Sequence, residues 1–257
     1  MKFRKLVTTF SAILLVLGMG SAQAADLRVG VEGAYPPFSW KESDGTLKGF
    51  DIDIANAICA ELKRNCVLVE QDWDGMIPAL LARKFDTIIA SMSITEERKK
   101  RVDFSDKYYN TPAKFVAKKG AGLEISKAGL SGKRIGLQRG TTHQCFMEKI
   151  YPDAELVLYG TQEEVFQDLA IGRIDAQFSD SIAADEGFLK TDAGKDFEFT
   201  GGDQHDDACH GPGAGMAVRK SDSELRDDLS RAIQALRDNG TYQKINAKYF
   251  DFDIFGG

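Results

Sequence analysis

Apolar and polar positions along the chain spell one figure twice. In ALLARKFDTIIAS (79–91) and QDLAIGRIDAQFSD (167–180) a helical apolar pattern meets a basic turn, Arg83-Lys84 in the first and Gly172-Arg173 in the second. An apolar residue, an aspartate (Asp86 or Asp175) and a short strand pattern follow in both. The fifth residue beyond the aspartate is Ser91 in one copy and Asp180 in the other, so the two strands end at equivalent places. The copies also begin alike. LRVGVEG (27–33) and KRIGLQRG (133–140) are short apolar strands opening into glycine-containing loops, and IDIANAICAELKR and THQCFMEKIY follow them with helical spacing.

Strands alternating with helices predict a parallel sheet covered by helices, and two such units predict two α/β lobes. DKYYNTPAKFVAKK (106–119) is expected to carry the chain out of the first lobe and GPGAGMAVRK (211–220) to bring it back. The stretch LRDDLSRAIQALRDNGTYQKINAKYF has helical spacing with a stop at Gly240 and is expected to pack on the first lobe. The first lobe then comprises 25–112 and 208–257, and the second 113–207. Ligands of open α/β sheets bind beyond the carboxyl ends of the strands. Ser91 and Asp180 would therefore face one cleft.

Composition and charge narrow what that cleft serves. MKFRKLVTTFSAILLVLGMGSAQA puts Lys2, Arg4 and Lys5 ahead of an apolar stretch and ends in Ala22-Gln23-Ala24, the pattern of a cleaved secretory leader over 1–24. Its apolar part is too short for a stable span, and no cysteine stands at the cleavage site to take a lipid, so a periplasmic chain without a membrane anchor is expected. Losing the leader's three positive charges takes the formal net charge from −6 to −9. An acidic chain with no basic domain argues against nucleic acid as a partner.

Export permits disulfides, and the four cysteines are an even number. Cys59 and Cys66 lie seven apart where a helical pattern runs out, so a clamp on the helix end is expected; Cys145 and Cys209 remain as the second pair. His143, His205 and His210 lie near those last two cysteines, which makes zinc the competing reading. The lack of a close C-x-x-C pair and the oxidising compartment disfavour it, and no metal or cofactor is expected. G-x-S-x-G, H-E-x-x-H and a P-loop are missing, and GPGAGM departs from the dinucleotide fingerprint at its last position.

SMSITEERKKRVDFS (91–105) sets six charged residues in a row directly behind the first of the repeated strands. Such a run is ordinarily the solvated face of a helix, and that reading serves Lys99, Lys100 and Arg101. Arg98 differs because of the motif around it. AYPPFSWKESDGTLKGFDIDIANAI, DWDGMIPALLARKFDTIIASMSITEERKKRVDFS and GRIDAQFSD together resemble the periplasmic solute-binding proteins of polar amino acid ABC importers, nearest the lysine/arginine/ornithine/histidine-binding group. The resemblance covers essentially the whole mature chain. It implies the type II periplasmic-binding-protein fold, an α/β architecture of two lobes with a ligand cleft between them. It also implies a monomer that binds a basic amino acid and delivers it to an ABC permease.

By the same resemblance Arg98 clamps the ligand's α-carboxylate, a task for which a rigid two-pronged guanidinium is better than an ammonium. Ser91 and Ser93 add donors beside it, and Thr141 and Thr142 add more from the start of a helix, where they would also serve as caps. Asp180 matches the residue that binds the α-ammonium. Tyr35 and Trp73 match aromatics flanking the ligand side chain, where a cation gains about 0.5–2 kcal/mol from a ring face. Glu32 matches an acid that receives a distal ammonium or guanidinium, with Asp51 as its support. The chain departs from the group at Glu32, where aspartate is common, at Ala90, where serine is, and at His143, where glutamine is. Cyclohexadienyl dehydratases share this resemblance, so an enzyme acting on prephenate or arogenate is the alternative. The sensor module of a membrane receptor is a third reading, disfavoured by the lack of an anchor.

Overall fold

A computed structural model describes residues 26–256; the leader expected over 1–24 lies outside the described residues. The first unit runs through β1 (Asp26–Val31), a small antiparallel sheet of β2 (Ala34–Tyr35), β3 (Ser39–Lys41) and β4 (Leu47–Lys48), then α1 (Phe50–Glu61) and β5 (Asn65–Glu70). It continues with α2 (Met76–Leu81), β6 (Thr87–Ile88), α3 (Glu96–Lys99) and β7 (Val102–Tyr109). The second unit holds β8 (Ala113–Lys118), α4 (Lys127–Leu130), β9 (Arg134–Gln138), α5 (Thr142–Ile150), β10 (Glu155–Tyr159), α6 (Gln162–Ala170), β11 (Ala176–Asp180), α7 (Ser181–Ala184) and β12 (Phe197–Gln204). After it come α8 (Asp207–His210), β13 (Ala214–Arg219), α9 (Ser223–Asp238) and α10 (Thr241–Tyr249).

Two five-stranded sheets result, ordered β5-β1-β6-β13-β7 and β10-β9-β11-β8-β12. β1 lies parallel to β5 and β6, and β9 parallel to β10 and β11, as the strand–helix alternation predicts. The sheets are nevertheless mixed, because β13 runs antiparallel to β6 and β7, and β8 antiparallel to β11 and β12. Only a crossover, usually helical, returns a chain in the parallel sense. β8 and β13 instead enter straight from the other lobe. The stretch 106–119, expected as a connector, is mostly the strands β7 and β8, and only residues 110–112 cross between sheets.

The repeated Asp86 and Asp175 do the same work in each sheet. Asp86 accepts from the backbone N–H of Arg28 at 3.1 Å and from its guanidinium at 2.7 Å; Asp175 accepts from Arg134 at 2.8 and 3.0 Å in the same way. Each aspartate N–H returns a 2.8 Å bond to its arginine's carbonyl. The pair holds the start of the short third strand in register with the first, so β6 and β11 end level with the cleft.

Each lobe has its own core. Leu27, Val29, Phe50, Ile54 and Tyr108 pack with Leu229, Ile233 and Tyr242 of α9 and α10, so the helical stretch beyond residue 222 does cover the first lobe. Gly240 separates the two helices at φ 78°, a left-handed turn that glycine adopts without strain. Phe115, Leu137, Phe146 and Phe178 centre the second lobe. In GPGAGM a Cβ on Gly211 would collide with the Ile94 carbonyl oxygen, and one on Gly213 with that of Tyr109. The returning segment therefore lies flat against the first lobe, and only glycine permits it.

Cys59 of α1 pairs with Cys66 of β5, and Cys145 of α5 with Cys209 of α8, at Cα–Cα distances of 5.5 and 5.6 Å. Both expected pairings are present, and the second takes from the zinc reading the two thiolates it needed. Peptide mapping under non-reducing conditions should recover these two links and no crossed ones. Because 64 residues separate Cys145 from Cys209 against seven for the other pair, chain entropy assigns them about 4 and about 2 kcal/mol. Serine at both Cys145 and Cys209 should accordingly lower the melting temperature more than serine at both Cys59 and Cys66.

Candidate ligand-binding site

Between the two sheets, beyond the carboxyl ends of their strands, lies a cavity of about 640 Å3 including its open mouth. That is within the roughly 300–1,000 Å3 usual for small-molecule sites. Glu32 follows β1, Tyr35 lies in β2, Trp73 opens the turn after β5, and Ala90, Ser91 and Ser93 follow β6; all line it from the first lobe. Thr141, Thr142 and His143 at the start of α5, and Asp180 at the end of β11, line it from the second. Arg98, in the single turn of α3, completes the set. Of the cleft residues expected from sequence, Asp51 alone is absent from the lining.

Within the charged run, Lys99 and Lys100 pair with Glu96 and Glu97 on the outside of α3, as a solvated helix face predicts. Arg98 turns inward. Its Nη1 donates to the Ser93 carbonyl at 2.9 Å, its Nη2 to the Gly140 carbonyl at 3.3 Å, and its guanidinium carbon lies 5.2 Å from the centre of the Trp73 ring. No carboxylate among the described residues pairs with it, and enclosure by protein lowers its pKa to about 10. Trp73 thus supports the arginine as well as facing the cavity. Thr141 occupies the N-cap position of α5, but its hydroxyl donates to the Gln138 carbonyl at 2.7 Å instead of accepting from the helix.

Three buried carboxylates oppose this cation. Burial raises Glu32 and Asp51 to about 7, with hydrogen bonds from Gln138 to the first and from Tyr108 and Ser91 to the second holding them back. Burial likewise raises Asp180 to about 6 against donors from Thr111, Ala183 and Ile182. Asp180 caps α7 through Oδ1, at 2.8 Å from the Ile182 N–H, while Thr111 holds Oδ2, so it is a cap and a cavity residue together. None of the three has a cationic partner among the described residues.

Asp51 works beneath the cavity and makes no hydrogen bond to Glu32. It accepts from the Ser91 hydroxyl at 2.9 Å and from the Tyr108 hydroxyl at 2.8 Å, while the Tyr108 oxygen accepts from the Ser91 N–H at 2.9 Å. Ser91 needs this grip because its φ is 55°, a left-handed conformation costly for a residue with a Cβ.

Sequence reasoning missed Gln138. Its amide donates across the cleft to Glu32 Oε1 at 2.6 Å and to the Gly160 carbonyl at 3.0 Å. The signal was present: aligning LRVGVEG with KRIGLQRG sets Glu32 opposite Gln138 in the repeat. A second link, between Arg139 and Asp74, joins the lobes at the surface. Asn110, Thr111 and His210 also line the cavity and were not foreseen as ligand residues.

Comparison with known proteins places the chain in a family. The description "Bacterial extracellular solute-binding proteins, family 3" matches residues 27–252. An L-arginine-binding protein of Pseudomonas aeruginosa is 50% identical over 257 residues, covering 98% of this chain and 99% of that one. A histidine-binding periplasmic protein of Escherichia coli K12 is 42% identical over 262 residues, covering 99% and 100%. A solved Salmonella typhimurium periplasmic binding protein described for high arginine specificity aligns with a TM-score of 0.82 at 33% identity, over 88% of this chain and all of that one. These relatives bind solutes rather than transform them, and the dehydratase reading gives way. With a family match across nearly all the described residues and such identity at full coverage, the chain belongs to the bacterial extracellular solute-binding proteins of family 3.

Proposed function

We propose that this protein is the periplasmic receptor of an ABC importer and captures a basic L-amino acid, with arginine preferred. One observation carries the reading. Among the described residues a single cavity holds a guanidinium with no carboxylate partner, Arg98, and carboxylates with no cationic partner, Glu32 and Asp180. An amino acid with a cationic side chain completes all three. Its α-carboxylate meets Arg98, with Ser93, Thr142 and the backbone N–H of Thr141 as further donors. Ser91, expected beside them, spends its hydroxyl on Asp51 and its N–H on Tyr108, and the Thr141 hydroxyl is spent on Gln138. The ligand's α-ammonium meets Asp180, and its distal cation meets Glu32 between Tyr35 and Trp73. Gln138 spends both amide hydrogens on Glu32 and Gly160, which leaves its carbonyl oxygen free as a second acceptor beside Glu32. Two acceptors from opposite lobes serve a planar guanidinium with five donors better than a compact ammonium. The arginine-binding relatives support that preference.

On this reading the leader over 1–24 directs export, and the mature monomer closes its lobes around the ligand before docking on the permease. Of the expected division into 25–112 with 208–257 and 113–207, the boundary at 208 moves past α8, because Cys209 packs in the second lobe's core and is bonded to Cys145. Closure is a population shift in which the ligand's contacts are shared between lobes. Titration calorimetry across the protein amino acids, on protein unfolded and refolded to strip carried-over ligand, tests it. Arginine, ornithine and lysine should bind and glutamate should not. Preference for glutamate or a neutral side chain would overturn the assignment.

Protons compete with the ligand in such a site. Glu32 and Asp180, raised to about 7 and about 6, must be ionised to hold cations, so the arginine Kd should rise as pH falls from 8 to 5. The limit is about tenfold per pH unit for each proton displaced. For folding alone the sign is opposite. Carboxylates whose folded pKa exceeds the unfolded value favour the ligand-free fold most below about 4 and lose that contribution as pH rises through 6 to 7. Thermal stabilisation by arginine should therefore grow from pH 5 to pH 8, and a Kd constant over that range would contradict these ionisation states.

A further inference from the structure

The second disulfide cross-links two helices beside the cavity. It ties α5 to α8, and the residues beside its cysteines are His143, two before Cys145, and His210, directly after Cys209. The two imidazole rings stand 6.0 Å apart, and both residues line the cavity.

Their tautomers follow from the backbone. The Asp180 N–H donates to His143 Nε2 at 3.0 Å, and the Asp206 N–H donates to His210 Nδ1 at 3.1 Å. A ring nitrogen that accepts carries no proton, so the hydrogens of the neutral rings sit on His143 Nδ1 and His210 Nε2. Both of those nitrogens are buried and, among the described residues, have no partner. Burial lowers the imidazoles to about 3 and about 4, so both are neutral donors at pH 7. His205, whose ring lies 5.5 Å from that of His210 and adds to the lowering of that imidazole, is itself engaged with Asp207.

Two buried donors on one cavity wall call for an acceptor. Each N–H···O bond spans about 3 Å, so rings at this separation can reach one acceptor group together. Resting on the amino-acid reading above, the choice is narrow: an amino acid with a cationic side chain has its acceptor oxygens only in the α-carboxylate. Arg98 is near enough for its charge to act on His143.

We propose that His143 Nδ1–H and His210 Nε2–H form the uncharged half of the carboxylate cradle opposite Arg98, and that the Cys145–Cys209 disulfide is the brace that holds this donor pair in place. His210 is thereby a ligand-contacting residue, and the disulfide a determinant of affinity as well as of stability. A neutral donor pair completes the carboxylate's hydrogen bonding without adding positive charge beside the α-ammonium and Asp180.

The experiment is long-range 1H–15N NMR of the histidine side chains in the oxidised, 15N-labelled protein, with calorimetry on variants. Ligand-free protein should show Nδ1–H for His143 and Nε2–H for His210, and L-arginine should move both protons downfield and slow their exchange. His210→Phe keeps a ring against Phe146 but removes the donor, and should weaken L-arginine about tenfold. His210→Gln, which restores an N–H, should recover part of that. Cys145→Ser with Cys209→Ser should cost a similar factor, and adding His210→Phe to it should cost little more, because both act through one donor pair. Opposite tautomers, unmoved N–H resonances, or His210→Phe within twofold of wild type would overturn the proposal even if no variant folds well, since the resonances are read in wild type. Wild type that fails to bind L-arginine at all would instead sink the amino-acid reading on which it rests.

Discussion

Alanine at Arg98 should abolish measurable binding of every α-amino acid. Among the described residues Arg98 is the one lysine or arginine lining the cavity, and its neighbours are carbonyls and an aromatic face rather than carboxylates. Those contacts aim it without neutralising it. Removing one partner of an enclosed charge pair costs about 3–5 kcal/mol, roughly two to three and a half orders of magnitude in Kd. Lysine at the same position restores charge but loses the planar fork that reaches Ser93, Gly140 and the ligand together, so it should recover only part of the affinity. Calorimetry with arginine, lysine and histidine is sufficient. If Arg98→Ala binds any of them within threefold of wild type, the carboxylate is held elsewhere.

Glutamine at Glu32 should separate ligands by charge. It keeps the shape, and its carbonyl oxygen can still accept from Gln138, so the link across the cleft survives while the distal cation loses its counter-charge. Arginine, lysine and ornithine should each lose about 1.5–3 kcal/mol, roughly 10- to 150-fold. Glutamine, as a neutral ligand, should change little, and histidine should fall between, depending on pH because its imidazole titrates near neutrality. The loss should appear mainly in the dissociation rate, whereas the protein's net negative charge acts on association and is screened by salt. The variant should also flatten the dependence of arginine Kd between pH 6 and 8, because the group raised to about 7 is gone. Equal weakening of neutral and cationic ligands would mean that Glu32 shapes the cavity without reading charge.

Both expectations concern residues that are legible in the amino-acid sequence. Arg98, Asp180 and Glu32 lie next to strand and helix patterns whose periods are local properties of the chain. A repeat that ends each strand five residues after an aspartate puts Ser91 and Asp180 at one level. The same locality made the cysteine clamp at the end of α1 readable, and the two C-terminal helices divided by Gly240.

Short-range pattern carries the two α/β units and the strand ends that form a cleft, whereas the roles of the charged and aromatic residues at those ends came from the resemblance to solute-binding proteins. Relations between distant segments are not recorded in such patterns. β8 and β13 run antiparallel because they cross directly between lobes, and no local period records the sense in which a strand joins its sheet. Asp51 was expected as support for Glu32, yet it accepts from Ser91 and Tyr108, 40 and 57 residues away. Gln138 meets Glu32 across 106 residues, and His210 reaches His143 through a bridge whose cysteines are 64 apart. Such contacts depend on how two lobes close on each other, which is settled by the packing of whole sheets and by loop closure over long stretches of chain, not by the preferences of the residues that finally touch.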